Sequence, residues 1–222
     1  MTKTIAIIPA RGGSKRLPGK NIKALGELPL IAHSIRYAQQ HNDIIDRIYV
    51  STDSPDIREI SEQYGAIVID RPAAISGDHE PTITALQHAL STLPETVEHI
   101  ILLQATNPLR PEKLLPEAYK KYIDGSYDSL MSITRNQEKF GKLVNGKFTP
   151  YNYALGQRSQ DLEPLYVENG LLYISHVNLI KKGILIGDNH TTIAVDHAFA
   201  KADIDTIQDF EYAEYLLKHY TE

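Results

Sequence analysis

The chain has 222 residues and no cysteine, 42% of its residues are hydrophobic, and 23 basic side chains stand against 28 acidic ones for a net charge of −5. That length and apolar content can bury one sizeable core unaided, while the missing cysteines exclude disulfide scaffolds, thiolate zinc sites and thiol nucleophiles. An acidic balance without a basic tail excludes nucleic acid as the main partner, since backbone binding needs Lys and Arg spread over a wide surface.

The opening apolar run, Ile5 to Ile8, is too short for a signal-peptide core, and nothing approaches the roughly 20 apolar residues of a bilayer span. A soluble, cytoplasmic protein is therefore expected. Thr4 to Ile8 predicts a buried strand, and the loop from Pro9 to Asn21 follows it. Pro29 to His41 carries Leu30, Ile31, Ser34, Ile35 and Ala38 at helical spacing, and Arg47 to Val50 reads as the second strand of a βαβ unit. Ser54-Pro55-Asp56 opens a helix with a polar cap, a proline in the first turn and an acid at the positive end, running to Tyr64-Gly65. Ala66 to Ile69 is a strand, Thr82 to Thr92 a helix, His99 to Leu103 a buried strand, and Pro111 to Asp124 a helix that stops at Gly125. Ser129 to Thr134 adds a strand.

From about 135 to 168 the rhythm changes, and Asn145-Gly146 predicts the turn of a hairpin on a tyrosine-rich excursion. Leu171 to Ser175 returns to the sheet, Val177 to Lys182 is a short helix, and Thr206 to His219 is the closing helix. The alternation predicts one α/β domain over residues 1–222, with a mainly parallel sheet covered on both faces and a small β-containing excursion. Ligands bind beyond the carboxyl ends of such strands, so the loops after Ile8, Val50, Ile69 and Leu103 are the candidate site.

Arg11, Lys15, Arg16 and Lys20 lie within ten positions of the first loop. A compact basic loop in an acidic chain suits a small polyanion such as a nucleoside triphosphate. Gly12 and Gly13 permit close backbone approach, Arg11 offers a bidentate fork, and Lys15 and Lys20 offer point charges. The same composition fits a solvated turn, and the residues alone leave both readings open. The spacing of a P-loop is absent, which disfavours that class of kinase. Asp203 and Asp205 are two apart, so in an extended segment they point to one face and could share a divalent cation. They could equally cap the helix that begins near Thr206. The histidines include no His-x-x-x-His pair, and Ser14 and Ser51 have no His and Asp companions, so neither a histidine metal site nor a serine hydrolase is expected.

In order and spacing, several segments together resemble the acylneuraminate cytidylyltransferases, the CMP-sialic acid synthetases. They are Ala10-Arg11-Gly12-Gly13-Ser14-Lys15 with Lys20-Asn21, Ser51-Thr52-Asp53, Arg71-Pro72, Leu102-Leu103-Gln104 with Pro108-Leu109-Arg110, Asn169-Gly170 with Tyr173, and Asp203-Ile204-Asp205-Thr206. The resemblance implies a three-layer α/β/α Rossmann-like nucleotidyltransferase fold. It implies catalytic roles for Arg11, Lys20, Asp203 and Asp205, with Mg²⁺ or Mn²⁺ held by the two aspartates. It implies nucleotide contacts from Ala10 to Lys15, Lys20, Asn21, Arg71, Glu80 and Thr82, and sugar contacts from Gln104, Asn107, Arg158, Gln160, Asn169, Gly170 and Tyr173. Four positions depart from the family pattern: Glu80 stands for a small residue, Ala105 for proline and Asn107 for serine, and Ser159 occupies the place of an arginine whose nearest equivalent is Arg158.

The implied reaction is attack by the anomeric hydroxyl of an acidic nine-carbon sugar on the α-phosphate of CTP, with release of pyrophosphate. Legionaminic, pseudaminic or deaminated sialic acid, or Kdo, could replace the sugar, and GTP could replace CTP. A non-catalytic nucleotide-binding module is the alternative of another class. The excursion implies a homodimer, because relatives pair through such a segment.

Overall fold

In the computed structural model, which describes residues 3–94 and 96–220, the first apolar run forms β1 (Thr4–Pro9), whose Ile5, Ala6, Ile7 and Ile8 are all fully buried. A strand with no wet side needs cover on both faces, and successive side chains point to opposite faces. Ala6 and Ile8 accordingly join one apolar cluster while Ile5 and Ile7 join another.

A small hairpin, β2 (Ala24–Leu25) and β3 (Leu28–Pro29), leads into α1 (Leu30–Gln40). Then come β4 (Arg47–Thr52), α2 (Pro55–Gln63), β5 (Ile67–Asp70), α3 (Thr82–Thr92), β6 (His99–Leu102) and α4 (Leu114–Asp124). Ser54 caps α2 as its sequence predicts, accepting from the Ile57 N–H. The fourth helix begins at Leu114 instead of Pro111, because residues 111–113 form a turn closed by the Leu114 N–H on the Pro111 carbonyl.

The second half contributes β7 (Ser129–Arg135), the hairpin β8 (Gly141–Val144) and β9 (Lys147–Pro150), β10 (Tyr166–His176), α5 (Val177–Lys181), β11 (His190–Ala194) and α6 (Ile207–His219). Asn145 and Gly146 both have positive φ, 51° and 75°, as a two-residue hairpin turn requires. The main sheet has seven strands in the order β11-β7-β10-β6-β1-β4-β5, parallel throughout except for β10, which is antiparallel to both neighbours. Helices α1, α2 and α4 cover one face and α3 and α5 the other, which gives the three-layer α/β/α arrangement.

A third cluster lies at the carboxyl edge of the sheet. Leu17 of the first loop, Leu25, Leu30, Leu109, Phe199, Ile204 and α6 residues Phe210, Ala213 and Leu216 pack together there. This apolar seam holds the basic loop against the segment that bears Asp203 and Asp205. Two stretches about 185 residues apart in sequence are thus brought together by hydrophobic burial, before any polar contact is counted.

Candidate active site

The loop after β1 is pinned to the end of β4. The Gly12 N–H donates to Asp53 Oδ1 at 2.9 Å and the Ala10 N–H to the Ser51 carbonyl at 3.0 Å. A side chain at residue 12 would place its Cβ 2.9 Å from Ser54 Cβ, so the pin requires glycine, whereas a Cβ at residue 13 would meet nothing within 4 Å. The short helical turn from Lys20 to Ile22 then brings Lys20 inward, where it is 7% exposed.

Lys20 Nζ donates to the Ile204 carbonyl at 2.6 Å and to Asp205 Oδ1 at 3.1 Å, and Arg16 Nη2 donates to Asp205 Oδ2 at 2.7 Å. Capping of α6 falls to neighbours of the aspartates: Thr206 accepts from the Asp209 N–H, and Asp209 accepts from the Thr206 and Asp205 N–H groups. The Asp205 carboxylate is therefore free to meet the basic loop. The loop after β6 locks onto the same segment, through the Ile204 N–H on the Thr106 carbonyl at 2.8 Å and the Thr106 hydroxyl on Asp203. Desolvation by the surrounding walls, and then the negative charge of Asp205, raise the Asp203 pKa above the usual carboxylate value.

Two hollows meet at this junction. The first, about 480 Å³, is lined by Ala10, Arg11, Ser14, Lys15, Lys20 and Asn21 on one side, by Arg71, Glu80 and Thr82 on another, and by Gln104 and Asp205 at its end. Gly12 and Gly13 belong to its rim loop without forming the wall. The second, about 990 Å³, is lined by Gln104, Asn169, Gly170, Tyr173 and Asp203 among others. Gln104 borders both, and each aspartate of the pair faces a different hollow.

The first hollow holds polar atoms with nothing to bind. Arg71 is 9% exposed, donates from Nε to Ser76 Oγ at 3.1 Å, and has a buried Nη2 without a hydrogen-bond partner, 4.0 Å from Asp53. Burial lowers its pKa below the ordinary guanidinium value, partly offset by Asp53. Asn21 donates from Nδ2 to the Arg11 carbonyl while its buried Oδ1 is unpaired. Buried donors and acceptors normally find partners, and both of these residues line the first hollow. Asp78 pairs with Arg11 Nη1 at 2.8 Å and with Lys15, and the Lys15 contact is the main reason its carboxyl lies below the usual range.

Asn107, Arg158 and Gln160 sit elsewhere. Asn107 is 1% exposed and lies beneath the junction, donating to the Asn169 carbonyl at 3.2 Å and the Ala202 carbonyl at 3.4 Å. Asn169 is bonded to Ser132 and Thr134 of β7. Gly170, at φ +74°, passes so close to Asn107 that a Cβ would stand 2.7 Å from Asn107 Oδ1. Arg158 makes a bidentate pair with Asp161, at 2.7 and 3.1 Å, and neither it nor Gln160 lines either of these two hollows.

Sequence reasoning gave no role to Arg110, yet it is the buried pin of the junction. Its Nε donates to the Leu171 carbonyl at 2.6 Å, Nη1 to Ser34 Oγ at 2.9 Å and Nη2 to the Gln104 carbonyl at 2.8 Å, with the guanidinium over the Tyr37 ring. Burial pushes its pKa down to about 10. The signal available in sequence was a lone cation directly after an apolar strand and a Pro-Leu step.

The arrangement can hold a polyphosphate against Arg11, Lys15 and Lys20, a nucleoside beside Arg71, and a second substrate across the aspartate pair. A family model described as cytidylyltransferase matches residues 5–220. The chain is 34% identical to the pseudaminic acid cytidylyltransferase of Campylobacter jejuni over 97% of each sequence. It is 33% identical to the N-acylneuraminate cytidylyltransferase of Streptococcus agalactiae serotype III over 94% of its own length and 52% of that protein. Its fold matches that of CMP:2-keto-3-deoxy-manno-octonic acid synthetase complexed with CTP, with a TM-score of 0.70 over 98% of this chain and 99% of that one, at 18% identity. With a match that spans nearly all its residues, on a nucleotidyltransferase fold, the chain belongs to the cytidylyltransferase family and is a nucleotidyltransferase enzyme.

Proposed function

We propose that this enzyme joins CMP, taken from CTP, to an acidic nine-carbon sugar of the sialic, legionaminic or pseudaminic acid type. The anomeric hydroxyl attacks the α-phosphate in line, the new P–O bond forms as the bond to pyrophosphate breaks, and the hydroxyl proton passes to solvent. The first hollow takes the nucleotide, with the triphosphate along Arg11, Lys15 and Lys20 and the ribose and base toward Arg71, Glu80 and Thr82. The second hollow takes the sugar, beside Gln104, Asn169 and Tyr173. Lys20 and Arg11 hold the charge that develops on the phosphates, so the rate enhancement comes from position and preorganised charge.

Asp203 and Asp205 suit a magnesium ion: they are two carboxylates at the meeting of the hollows, the charge of Asp205 raises the pKa of Asp203, and phosphate oxygens and water would complete the oxygen shell the ion prefers. Bound there, the ion would neutralise charge on the α-phosphate. Manganese has the same oxygen preference.

The observation that carries this reading is the 3.1 Å contact between Lys20 and Asp205, which joins the basic loop to the acid pair where the two hollows meet. Pyrophosphate release from CTP and a panel of sugar acids, with magnesium and then with chelator, tests it. Metal-dependent release with at least one nine-carbon acid is expected; no release with any of them means a binding module without catalysis.

The active form we propose is a cytoplasmic homodimer. The excursion exposes Leu143 by 78%, Tyr151 by 71% and Leu155 by 77%, an apolar surface that a second copy would cover. Arg158 lies on the same excursion, paired with Asp161. A monomeric mass by light scattering at micromolar concentration would overturn this.

A further inference from the structure

The sugar hollow presents a charge problem. Its walls carry Glu138, Glu168, Asp196 and Asp203, yet the substrate proposed above is itself an acid, whose carboxylate is bonded to the same carbon as the reacting hydroxyl. That carboxylate must lie close to the aspartate pair when the hydroxyl reaches the α-phosphate. Two cations also line the hollow, Arg135 at the end of β7 and Lys201. Both are exposed, and among the described residues neither side chain has an ion-pair or hydrogen-bond partner. The contrast with Arg158, held by Asp161, is plain.

Lys201 also has a defined place relative to the metal-type acids. From 201 to 205 burial alternates: Lys201 and Asp203 are exposed and Asp205 is half-buried, while Ala202 and Ile204 are 2% and 0% exposed. Lys201 closes a short helical turn, Ala198–Lys201, and stands two residues before Asp203, with both on the wall of the sugar hollow. A cation thus lines the same hollow as Asp203, whereas Asp205 lines the hollow of the basic loop.

On the reading that this is a sugar-acid cytidylyltransferase, we propose that Lys201 and Arg135 receive the sugar carboxylate within the same chain. They orient the anomeric hydroxyl toward the first hollow and select acids over neutral sugars. Glu168, on the same wall, accepts the Tyr173 hydroxyl and makes no ion pair with either cation among the described residues.

The test uses the full chain with saturating CTP and magnesium, and a sugar acid the wild type accepts together with its methyl ester. Lys201→Ala and Arg135→Ala are expected to raise the KM for the acid about tenfold or more, the size of a lost charge-assisted hydrogen bond, while the KM for CTP stays unchanged. The preference for acid over ester should shrink with it. Lys201→Arg should recover most of the loss, which a merely structural role would not produce. An active wild type whose alanine variants keep their KM for the acid and their preference for acid over ester overturns the proposal and leaves the function intact. A wild type inactive on every acid overturns both.

Discussion

Single residues at the junction divide into those that line the hollows and those that hold the wall in place, and the two kinds fail differently. Gly12 and Gly13 are adjacent and chemically identical, yet only Gly12 touches a neighbour, Ser54. Gly12→Ala should cost about 1–3 kcal/mol of stability by crowding and raise the KM for CTP, while Gly13→Ala should stay within about 0.5 kcal/mol of wild type. Urea midpoints compare the pair directly, and equal values would show that the pin to Asp53 does not constrain the loop. Arg110 is a wall residue in this sense. Arg110→Met leaves the Leu171 and Gln104 carbonyls and the Ser34 hydroxyl without their donor, a loss of about 2–4 kcal/mol by the usual penalty for stranded buried groups. A denaturation midpoint unchanged by this substitution would contradict the assignment.

At the scale of elements, α6 shows how a cap serves a site. Thr206 and Asp209 satisfy the first turn reciprocally, which leaves Asp205 to the basic loop. Thr206→Ala should lower stability by about 1 kcal/mol and, by loosening the Asp205 backbone, lower kcat more than it alters the KM for CTP; a purely thermal effect would argue that the two roles are independent. The same region shows what a sequence reveals. Composition and spacing left Asp203-x-Asp205 open between metal binding and capping, because both explain an acid at that place; only the position of Thr206 decides who caps. Strand β1, helix α2 with its Ser54 cap, and the Asn145-Gly146 turn were all legible, since each obeys a local rule. The last strand, β11, was not: His190-Thr191-Thr192-Ile193-Ala194 is a half-exposed edge with weak alternation, held by its partner β7. Strand β10 begins five residues before the predicted start, because the register shift between Glu168 and Tyr173 hides its first segment behind Asn169-Gly170.

For the molecule as a whole, the described residues contain no helix long and apolar enough to cross a membrane, and the stability that holds the sheet should respond to acid. Burial lowers the pKa of His33, His41 and His99 below the ordinary 6.5. The unfolded chain therefore takes up protons that the folded one resists, so stability is at its full value above pH 6.5 and falls as pH drops toward the depressed folded values. Thermal midpoints at pH 7.5 and 5.5 should differ in that direction; a flat or rising midpoint on acidification would exclude these histidines as the cause. Convergence of the basic loop and the acid pair is likewise a whole-chain property. The separate motifs could be read in sequence, but the seam of Leu17, Phe199, Ile204 and Phe210 that joins them could not, because each of those residues looks like ordinary core.

On the proposed reading, Asp78, paired with Arg11 and Lys15, holds the cations that the triphosphate would use. Entry of a triphosphate is then an exchange of partners, in which a tethered anion yields its place to a free one. Such a tether trades affinity for release, which suits a protein that must let its product go. Asp78→Asn should for that reason tighten CTP in equilibrium titrations, and slow the departure of CMP-sugar or pyrophosphate in single-turnover measurements.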